Sequence, residues 1–195
     1  AWLPAMVARF SEAHPDVTIS LHSSNSVDAA RLVGSGEIDL GIAQLRSEEN
    51  NLSRKKLFDL EGVIALPAGH RLSRKSFVEA SDLIGETIIA LGPEDEFRRK
   101  LSQACEAAGQ PPRTIIDASL ALTVCGLVGE GCGVGIVDSE AARERRGHGL
   151  VFRSFRPAIR VPIFLFRRRG RPTNGLVEAF IASLRPPPAF SSASG

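Results

Sequence analysis

Polar residues that could bind a charged ligand recur where apolar segments of the chain end. They stand at three places, Ser23-Ser24-Asn25, Ala118-Ser119 and Val137-Asp138. Each place is predicted to end a strand and open a helix, and a helix start offers unpaired backbone N–H groups and a positive dipole end that suit a carboxylate. At any one place, capping of the helix is the more frequent role of such residues. Their recurrence in both halves of the chain favours a ligand site.

The histidines and cysteines indicate neither catalysis nor a metal site. The histidines are scattered between predicted elements as His14, His22, His70 and His148. No G-x-S-x-G, H-E-x-x-H or P-loop sequence is present, so loop and turn positions are the better interpretation. The cysteines form no C-x-x-C pair and are expected to be small core residues, namely Cys105, Cys125 and Cys132. We therefore expect no enzyme activity, no metal and no cofactor.

Two further patterns resemble binding sequences but are predicted to be structural. The glycines of Gly129–Gly135 follow a predicted helix and enter a predicted strand, which is the reverse of a dinucleotide-binding loop. A helix stop followed by a crowded strand explains them better. The basic runs 143–146 and 167–171 are short and lie beside element ends. A solvated surface is therefore favoured over a nucleic-acid patch.

The first part of the chain is predicted to form a strand–helix–strand unit. Residues 17–21 alternate apolar and polar as a strand does, an amphipathic helix follows, and 38–43 is predicted to be a buried strand. This order predicts a right-handed βαβ unit with a parallel sheet. A helix to about His14 precedes the unit, and the polar residues 46–56 are predicted to be a surface connection.

The remainder of the chain also alternates strands and helices, as an α/β protein does. Apolar segments predict strands at 63–66, 87–91, 114–116, 133–137, 150–152 and 161–166. Helices are predicted to open at a Ser76–Glu79 capping box, at Pro93 as the first helical residue, and at Ser119, Asp138 and Asn174 as caps.

Composition narrows the class of protein. The chain has 195 residues, of which 43% are hydrophobic and 24% are charged, as in ordinary globular proteins. The net charge of +2 is too small to favour DNA binding by this chain alone. No apolar run approaches the roughly 18 residues needed to cross a bilayer, and no secretory or transit signal opens the chain. We expect a cytoplasmic protein that does not contact membranes.

The order and spacing of several short sequences resemble the effector-binding domain of LysR-type transcriptional regulators. The matching segments are Leu3-Pro4 with Phe10, His14-Pro15-x-Val17, Leu32-Val33 with Gly36–Ile42, Ala65-Leu66-Pro67-x-x-His70-x-Leu72, Asp82-Leu83, and Val128-Gly-x-Gly131-x-Gly133-Val-Gly-Ile136. The resemblance covers about residues 2–185. Gly133–Asp138 is most similar to the branch of the family that senses opines, lysine or its precursors.

This resemblance implies a type 2 periplasmic-binding-protein-like fold, with two Rossmann-like lobes joined by two crossover strands near 62–67 and 160–166. The first lobe would be discontinuous, 1–66 with 161–185, and the second lobe would be 67–160. Residues 186–195 are expected to be a disordered tail. The family's DNA-binding domain and first strand would both precede Ala1 and are absent from this chain.

The resemblance also implies a ligand-sensing function. A small effector, amino-acid-like or a carboxylate, would bind between the lobes and alter how the regulator holds DNA. The predicted ligand-binding residues are Ser23, Ser24, Asn25, Gln44, Leu45, Gly92, Ser119, Val137 and Asp138. Self-association as a homodimer or tetramer is expected, and DNA would be contacted only through the N-terminal domain.

Two alternatives come from other classes of protein. An extracytoplasmic solute-binding protein of a transporter would share the fold and the cleft, and a signal peptide upstream of Ala1 would favour it. An enzyme on this scaffold would need a titratable pair in the cleft, where the sequence supplies only Asp138.

Overall fold

The computed structural model describes residues 2–45, 51–109, 111, 114–170, 172 and 174–187. The helices are α1 (Trp2–Ala13), α2 (Ser26–Ser35), α3 (Glu96–Ala107), α4 (Ala121–Gly129), α5 (Ser139–Glu144) and α6 (Gly175–Ser183). The strands are β1 (Gly41–Ala43), β2 (Leu52–Pro67), β3 (Phe77–Glu79), β4 (Thr87–Leu91), β5 (Thr114–Ala118), β6 (Val134–Asp138), β7 (Leu150–Arg156) and β8 (Arg160–Arg168).

The chain divides into two compact units. The first unit contains the chain as far as Phe58 and the segment that begins at Pro162, and the second unit is Asp59–Val161. The chain therefore passes from one unit to the other within β2 and again near the start of β8. The predicted crossover segments 62–67 and 160–166 lie in these two strands.

In the first unit, β1 pairs antiparallel with β8, with Gly41 opposite Phe166. Phe166 is fully buried and forms a small core with Ala30 and Val33 of α2. Gly41 lets the Phe166 ring lie against the strand, because a Cβ at this position would come within 2.2 Å of two ring atoms. Any side chain at position 41 would therefore clash with Phe166 of the partner strand β8.

Helices α1 and α6 of the first unit meet through aromatic rings. Phe10 of α1 and Phe180 of α6 have ring centroids 5.2 Å apart in a T-shaped arrangement. Met6 and Phe10 are the buried residues of the apolar stripe predicted for α1. The edge-to-face geometry is the one that aromatic quadrupoles favour.

The second unit is built on a sheet that is covered on both faces. Strand β2 pairs antiparallel with β6 and with β7, while β6, β4 and β5 pair in parallel. Alternate residues of β2 point to opposite faces, so Ile64 enters one core and Val63 the other. Helix α3 covers the first face, and α4 and α5 cover the second. This layering is that of a Rossmann-like unit.

The strand predicted at 17–21 is wrong, and so is the parallel βαβ unit built on it. Residues 17–21 adopt no regular structure, and β1 begins at Gly41 and pairs antiparallel with β8. Val17 and Ile19 are half-buried while Thr18 and Ser20 are exposed, which explains the alternating sequence. Alternating apolar and polar residues indicate that one face of the segment is partly covered, but a strand also needs a neighbouring strand to accept and donate its backbone hydrogen bonds.

Three predicted boundaries are also wrong. The connection predicted over 46–56 is strand from Leu52 onward, with exposed polar side chains on β2 that hide it in the sequence, while 46–50 lie outside the described residues. The capping box predicted at Ser76–Glu79 does not form, because Phe77–Glu79 is strand β3 with Val78 in the core. A capping box is instead formed by Glu79 and Asp82.

Helix α3 begins at Glu96, not at Pro93, because Asp95 accepts a hydrogen bond from the N–H of Arg98 and so caps the helix. The predicted openings of α5 at Asp138 and of α6 at Asn174 are confirmed. Of the tail predicted at 186–195, the first two residues have no regular structure, and 188–195 lie outside the described residues.

We predict that Gly135→Ala destabilises the second unit by about 1–3 kcal/mol, the usual cost of overpacking a core. A Cβ at Gly135 would lie 2.7 Å from Val124 Cγ1 and 2.9 Å from Val128 Cγ2, so α4 would have to move away from β6. Urea unfolding measures the loss. Gly126→Ala is the matched control, because this exposed helical position has open space and alanine should add about 0.5–1 kcal/mol. Equal effects of the two variants would contradict the prediction.

Candidate functional site

Three of the predicted site residues lie at one edge of the sheet in the second unit. Leu91 of β4 pairs with Ala118 of β5, and β6 runs parallel to β4 on its other side. Gly92 and Ser119 come directly after β4 and β5, and Asp138 is the last residue of β6. The parallel register therefore places Gly92 between Ser119 and Asp138. In open parallel sheets this carboxyl edge is where ligands bind.

Asp138 closes β6 and caps α5. Its Oδ1 accepts hydrogen bonds from the backbone N–H groups of Glu140 at 2.9 Å and Ala141 at 3.0 Å. Among the described residues, its Oδ2 accepts no hydrogen bond. Burial raises the pKa of Asp138, an effect that the two N–H donors oppose and that the charges of Glu140 and Asp95 reinforce. The carboxylate therefore retains one oxygen for a further donor, and a cation beside it would favour its ionised form.

The predicted cap at Ser119 is wrong. Helix α4 begins one residue later than expected, with Leu120 at the N-cap position and no side-chain hydrogen bond there. Leu120 is extended, and its carbonyl accepts from the N–H of Thr123 at 3.0 Å. Ser119 is exposed and stands outside the helix. Its hydroxyl is therefore not used as a cap, and its proposed ligand contact stays a prediction.

Val137 and Gly92 can offer only backbone to a ligand. The Val137 side chain is 1% exposed in the core that contains α4, because it points into the sheet face and not toward the edge. A side-chain contact from Val137 to a ligand is therefore ruled out. Gly92 is half-buried, its carbonyl accepts from the N–H of Asp95, and a Cβ at this position would meet nothing within 4 Å. Open space above Gly92 is consistent with a position at the rim of a site.

The remaining predicted residues belong to the first unit. Asn25 caps α2, since its Oδ1 accepts from the N–H of Asp28 at 2.9 Å while its Nδ2 donates to Asp28 Oδ2 at 2.8 Å. Ser23 and Ser24 are exposed, and the Ser24 hydroxyl donates to the Asn25 carbonyl at 3.3 Å. The predicted helix opening is thus confirmed, and it presents two serine hydroxyls beside the first turn of α2.

Gln44 and Leu45 follow β1 and are both half-buried. Leu45 packs against the small core around Phe166, so part of its side chain is committed to the fold. Gln44 has an interaction within the protein as well. Each of the two groups of predicted residues is thus placed within its own unit, at a helix start or at a strand end.

Arg98 is a candidate that the sequence analysis missed. Its Nη1 donates to the carbonyl of Leu91 at 3.1 Å and to Asp117 Oδ1 at 2.6 Å, so the side chain joins the ends of β4 and β5. The side chain is only 17% exposed. Arg98 lies in the helix that the sequence predicted to open at Pro93, but the orientation of its side chain depends on the pairing of two strands that sequence alone did not give.

Exposed apolar side chains flank the starts of α2 and α4, and the sequence analysis missed them too. Leu21 and Val27 stand beside Asn25, with 53% and 59% of their surface exposed. Leu120 and Leu122 stand beside Ser119, at 46% and 41%. Large apolar residues at such exposure are available to contact an apolar part of a ligand.

The cysteines and other chemical groups add no second site. Cys105 and Cys125 are buried as predicted, and burial raises the pKa of the Cys125 thiol to about 11, but Cys132 is exposed, contrary to the prediction. Within the described ranges, no three histidine, cysteine or acidic side chains stand close enough to share a metal ion. No helix in the described part of the chain is both long and apolar enough to span a bilayer.

Comparison with known proteins identifies the family. The chain matches the LysR substrate binding domain over residues 1–186 and belongs to that family. It is 33% identical over 184 residues to the regulatory protein NocR of Agrobacterium tumefaciens (strain T37), covering 94% of this chain and 61% of NocR. It is 29% identical to the transcriptional activator protein LysR of Escherichia coli (strain K12), covering 95% of this chain and 60% of that protein.

The fold agrees with solved structures of the same family. The cofactor-binding domain of the Cbl transcriptional regulator aligns with a TM-score of 0.84 at 22% identity, over 93% of this chain and 80% of that one. The predicted type 2 periplasmic-binding-protein-like fold is thereby confirmed. The chain spans about 60% of the length of the curated relatives that it matches.

We predict that the caps differ in their contribution to stability. Asn25→Ala should lower the free energy of unfolding by about 1 kcal/mol, because the N–H of Asp28 in the first turn of α2 loses its acceptor. Ser119→Ala should change it by less than about 0.5 kcal/mol, because Ser119 caps nothing. Urea unfolding of both variants tests the pair, and a larger loss from Ser119→Ala would contradict the assigned start of α4.

We also predict opposite pH dependence for two aspartates. The pKa of folded Asp138 is raised above 3.8, so its contribution to stability is lost as pH rises above 3.8 through the folded pKa. The free energy of unfolding of Asp138→Asn should therefore increase relative to that of the wild type as pH rises from about 3.5 to 6. Unfolding by urea at a series of pH values measures this difference.

Asp82→Asn is the matched control. Burial acts to raise the pKa of Asp82, but hydrogen bonds from Lys75 and the Glu79 N–H, with the charges of Lys75 and Arg71, outweigh it and lower the pKa. The stability that Asp82 adds is present above pH 3.8 and is lost as pH falls. The free energy of unfolding of Asp82→Asn should therefore decrease relative to that of the wild type as pH rises. If the difference in free energy of unfolding between variant and wild type changes in the same direction with pH for both variants, the opposite pKa shifts assigned to Asp138 and Asp82 are contradicted.

Proposed function

We propose that this chain is the ligand-sensing domain of a bacterial LysR-type transcription regulator, and that its effector is a small polar, amino-acid-like molecule. Family membership supports the regulator, and the free oxygen of half-buried Asp138 at the carboxyl edge of the sheet is the observation that supports the effector class. An ammonium group would complete the hydrogen bonding of Asp138 and offset the cost of its burial. A charge-assisted contact of this kind is stronger than a neutral one.

In the first unit, the start of α2 would be suited to an acidic group. Ser23, Ser24 and Asn25 surround the first turn of α2, where hydroxyl and backbone donors and the helix dipole favour a carboxylate. Gln44 would donate or accept as a neutral partner, and Leu45 would supply apolar contact. In the second unit, Ser119 and the backbone of Gly92 and Val137 would approach the ligand beside Asp138.

Binding would act on DNA through the rest of the protein. The family relatives are longer than this chain, and we propose that a preceding DNA-binding domain, together with self-association as a homodimer or tetramer, completes a cytoplasmic regulator. An effector changes such a regulator only if it binds one conformational state more tightly than the other. No chemical change to the effector is required, so we propose no catalytic role.

We predict that the domain binds at least one free amino acid, and that Ser24→Ala and Asp138→Ala each weaken binding about tenfold or more, the cost of one charge-assisted hydrogen bond. Isothermal titration with a panel of amino acids measures the affinities. Asp138→Asn serves beside Asp138→Ala, because an amide keeps the α5 cap and removes only the charge.

Ser35→Ala is the control for Ser24→Ala, since Ser35 lies at the opposite end of α2. It should leave the affinity unchanged. Unchanged affinity in both Ser24→Ala and Asp138→Ala would remove this site from consideration. Loss of binding in Ser35→Ala to the same extent would indicate a general effect on α2 instead of a contact.

A further inference from the structure

Arg98 has donor groups that the fold does not use. One terminal nitrogen, Nη1, makes both of its hydrogen bonds, to the Leu91 carbonyl and to Asp117. Among the described residues, Nε and Nη2 donate to no acceptor. The side chain as a whole is 17% exposed. Two hydrogen bonds therefore hold a largely buried side chain whose remaining donors are available.

Arg98 and Asp138 lie at neighbouring strand ends. Arg98 Nη1 binds the last residue of β4 and Asp117 of β5, and Asp138 ends β6, which pairs with β4 on its other side. Adjacent strands are about 4.8 Å apart, so one strand lies between the positions of Asp117 and Asp138. Asp95 lies at the start of the same helix as Arg98, where its Oδ1 accepts from the backbone N–H of Arg98. In the described part of the chain, however, the ion pair of Arg98 is with Asp117 and not with Asp138.

We propose that Arg98 is a specificity-determining residue that binds a carboxylate of the effector while Asp138 binds its ammonium group, so that the effector is a zwitterion whose charged head is held by the second unit. This inference rests on the proposed function and adds to it the second charge.

The chemistry of the two side chains selects for this class. A guanidinium with free Nε and Nη2 presents two parallel N–H donors, which match the two oxygens of a carboxylate. A ligand without an ammonium group would leave the Asp138 oxygen unpaired in a desolvated position. A ligand without a carboxylate would leave the Arg98 fork unpaired. Only a molecule with both charges satisfies both side chains.

The test compares free amino acids with singly blocked derivatives, using the whole 195-residue chain. L-lysine, L-arginine, L-glutamate and L-norvaline are each titrated by calorimetry beside the Nα-acetyl and carboxamide forms. We expect at least one free amino acid to bind and both of its blocked forms to bind tenfold or more weakly. Arg98→Gln should bring the acid and carboxamide affinities within about threefold, and Asp138→Asn should do so for the free and acetylated amines.

Two variants separate direct contact from a structural effect. Arg99→Gln removes the next arginine of the same helix, which pairs with Glu96, and it should keep the wild-type selectivity. Asp117→Asn removes the ion-pair partner of Arg98 and should also keep the preference for acid over carboxamide. If Asp117→Asn reproduces Arg98→Gln, Arg98 only joins the strands and the proposal is overturned. Thermal unfolding of each variant verifies that the chain is folded.

Other outcomes distinguish this inference from the proposed function. Benzoate and 2-oxoglutarate, which carry no ammonium group, are titrated in parallel. If one of these compounds binds and no amino acid does, the proposal that the effector is a zwitterion is overturned, while the proposal of a small-molecule sensor stands. Binding of an amino acid with unchanged selectivity in Arg98→Gln would overturn the role of Arg98 alone. Absence of binding by both classes would count against the proposed function as well.

Discussion

The parallel pairing of β4 with β5 and β6 is the constraint from which the candidate site in the second unit follows. All three strands run in one direction, so their carboxyl ends, and the residues that come next, meet at a single edge. The cores on both faces keep the strands in this register. Gly135 contributes by letting Val124 and Val128 of α4 lie directly on β6. The packing of the core thus determines which polar groups reach the edge.

In the proposed function, Asp138 serves both structure and recognition. One carboxylate oxygen is committed to the first turn of α5, and this commitment fixes the direction of the other oxygen. Preorganisation of this kind reduces the entropy that a ligand contact costs. Burial without a cation opposes ionisation, so the free domain is less stable here than it could be. Recognition sites commonly retain such unfavourable groups.

The sequence predicted the second unit better than the first, for a physical reason. Strands buried on both faces, such as Val63–Leu66, are continuously apolar and stand out from their surroundings. The segment 17–21 alternates correctly but has no pairing partner, and no property of the segment itself reveals this. The helix starts at Asn25 and Asp138 were predictable because capping is local. Arg98 was not, because its partner Asp117 is 19 residues away and is brought near only by strand pairing.

The close packing of α4 on β6 has a consequence for how responses to effectors can diversify. Since there is no room for even a methyl group at Gly135, any larger residue must displace Val124 and Val128 of α4, the helix that begins next to the exposed Leu120 and includes the exposed Leu122. A change deep in the hydrophobic interior could therefore reshape the rim without altering a single atom that touches the ligand. In a sensor of the proposed kind, the range of inducers can therefore change through substitutions in the core as readily as through substitutions of residues that contact the ligand.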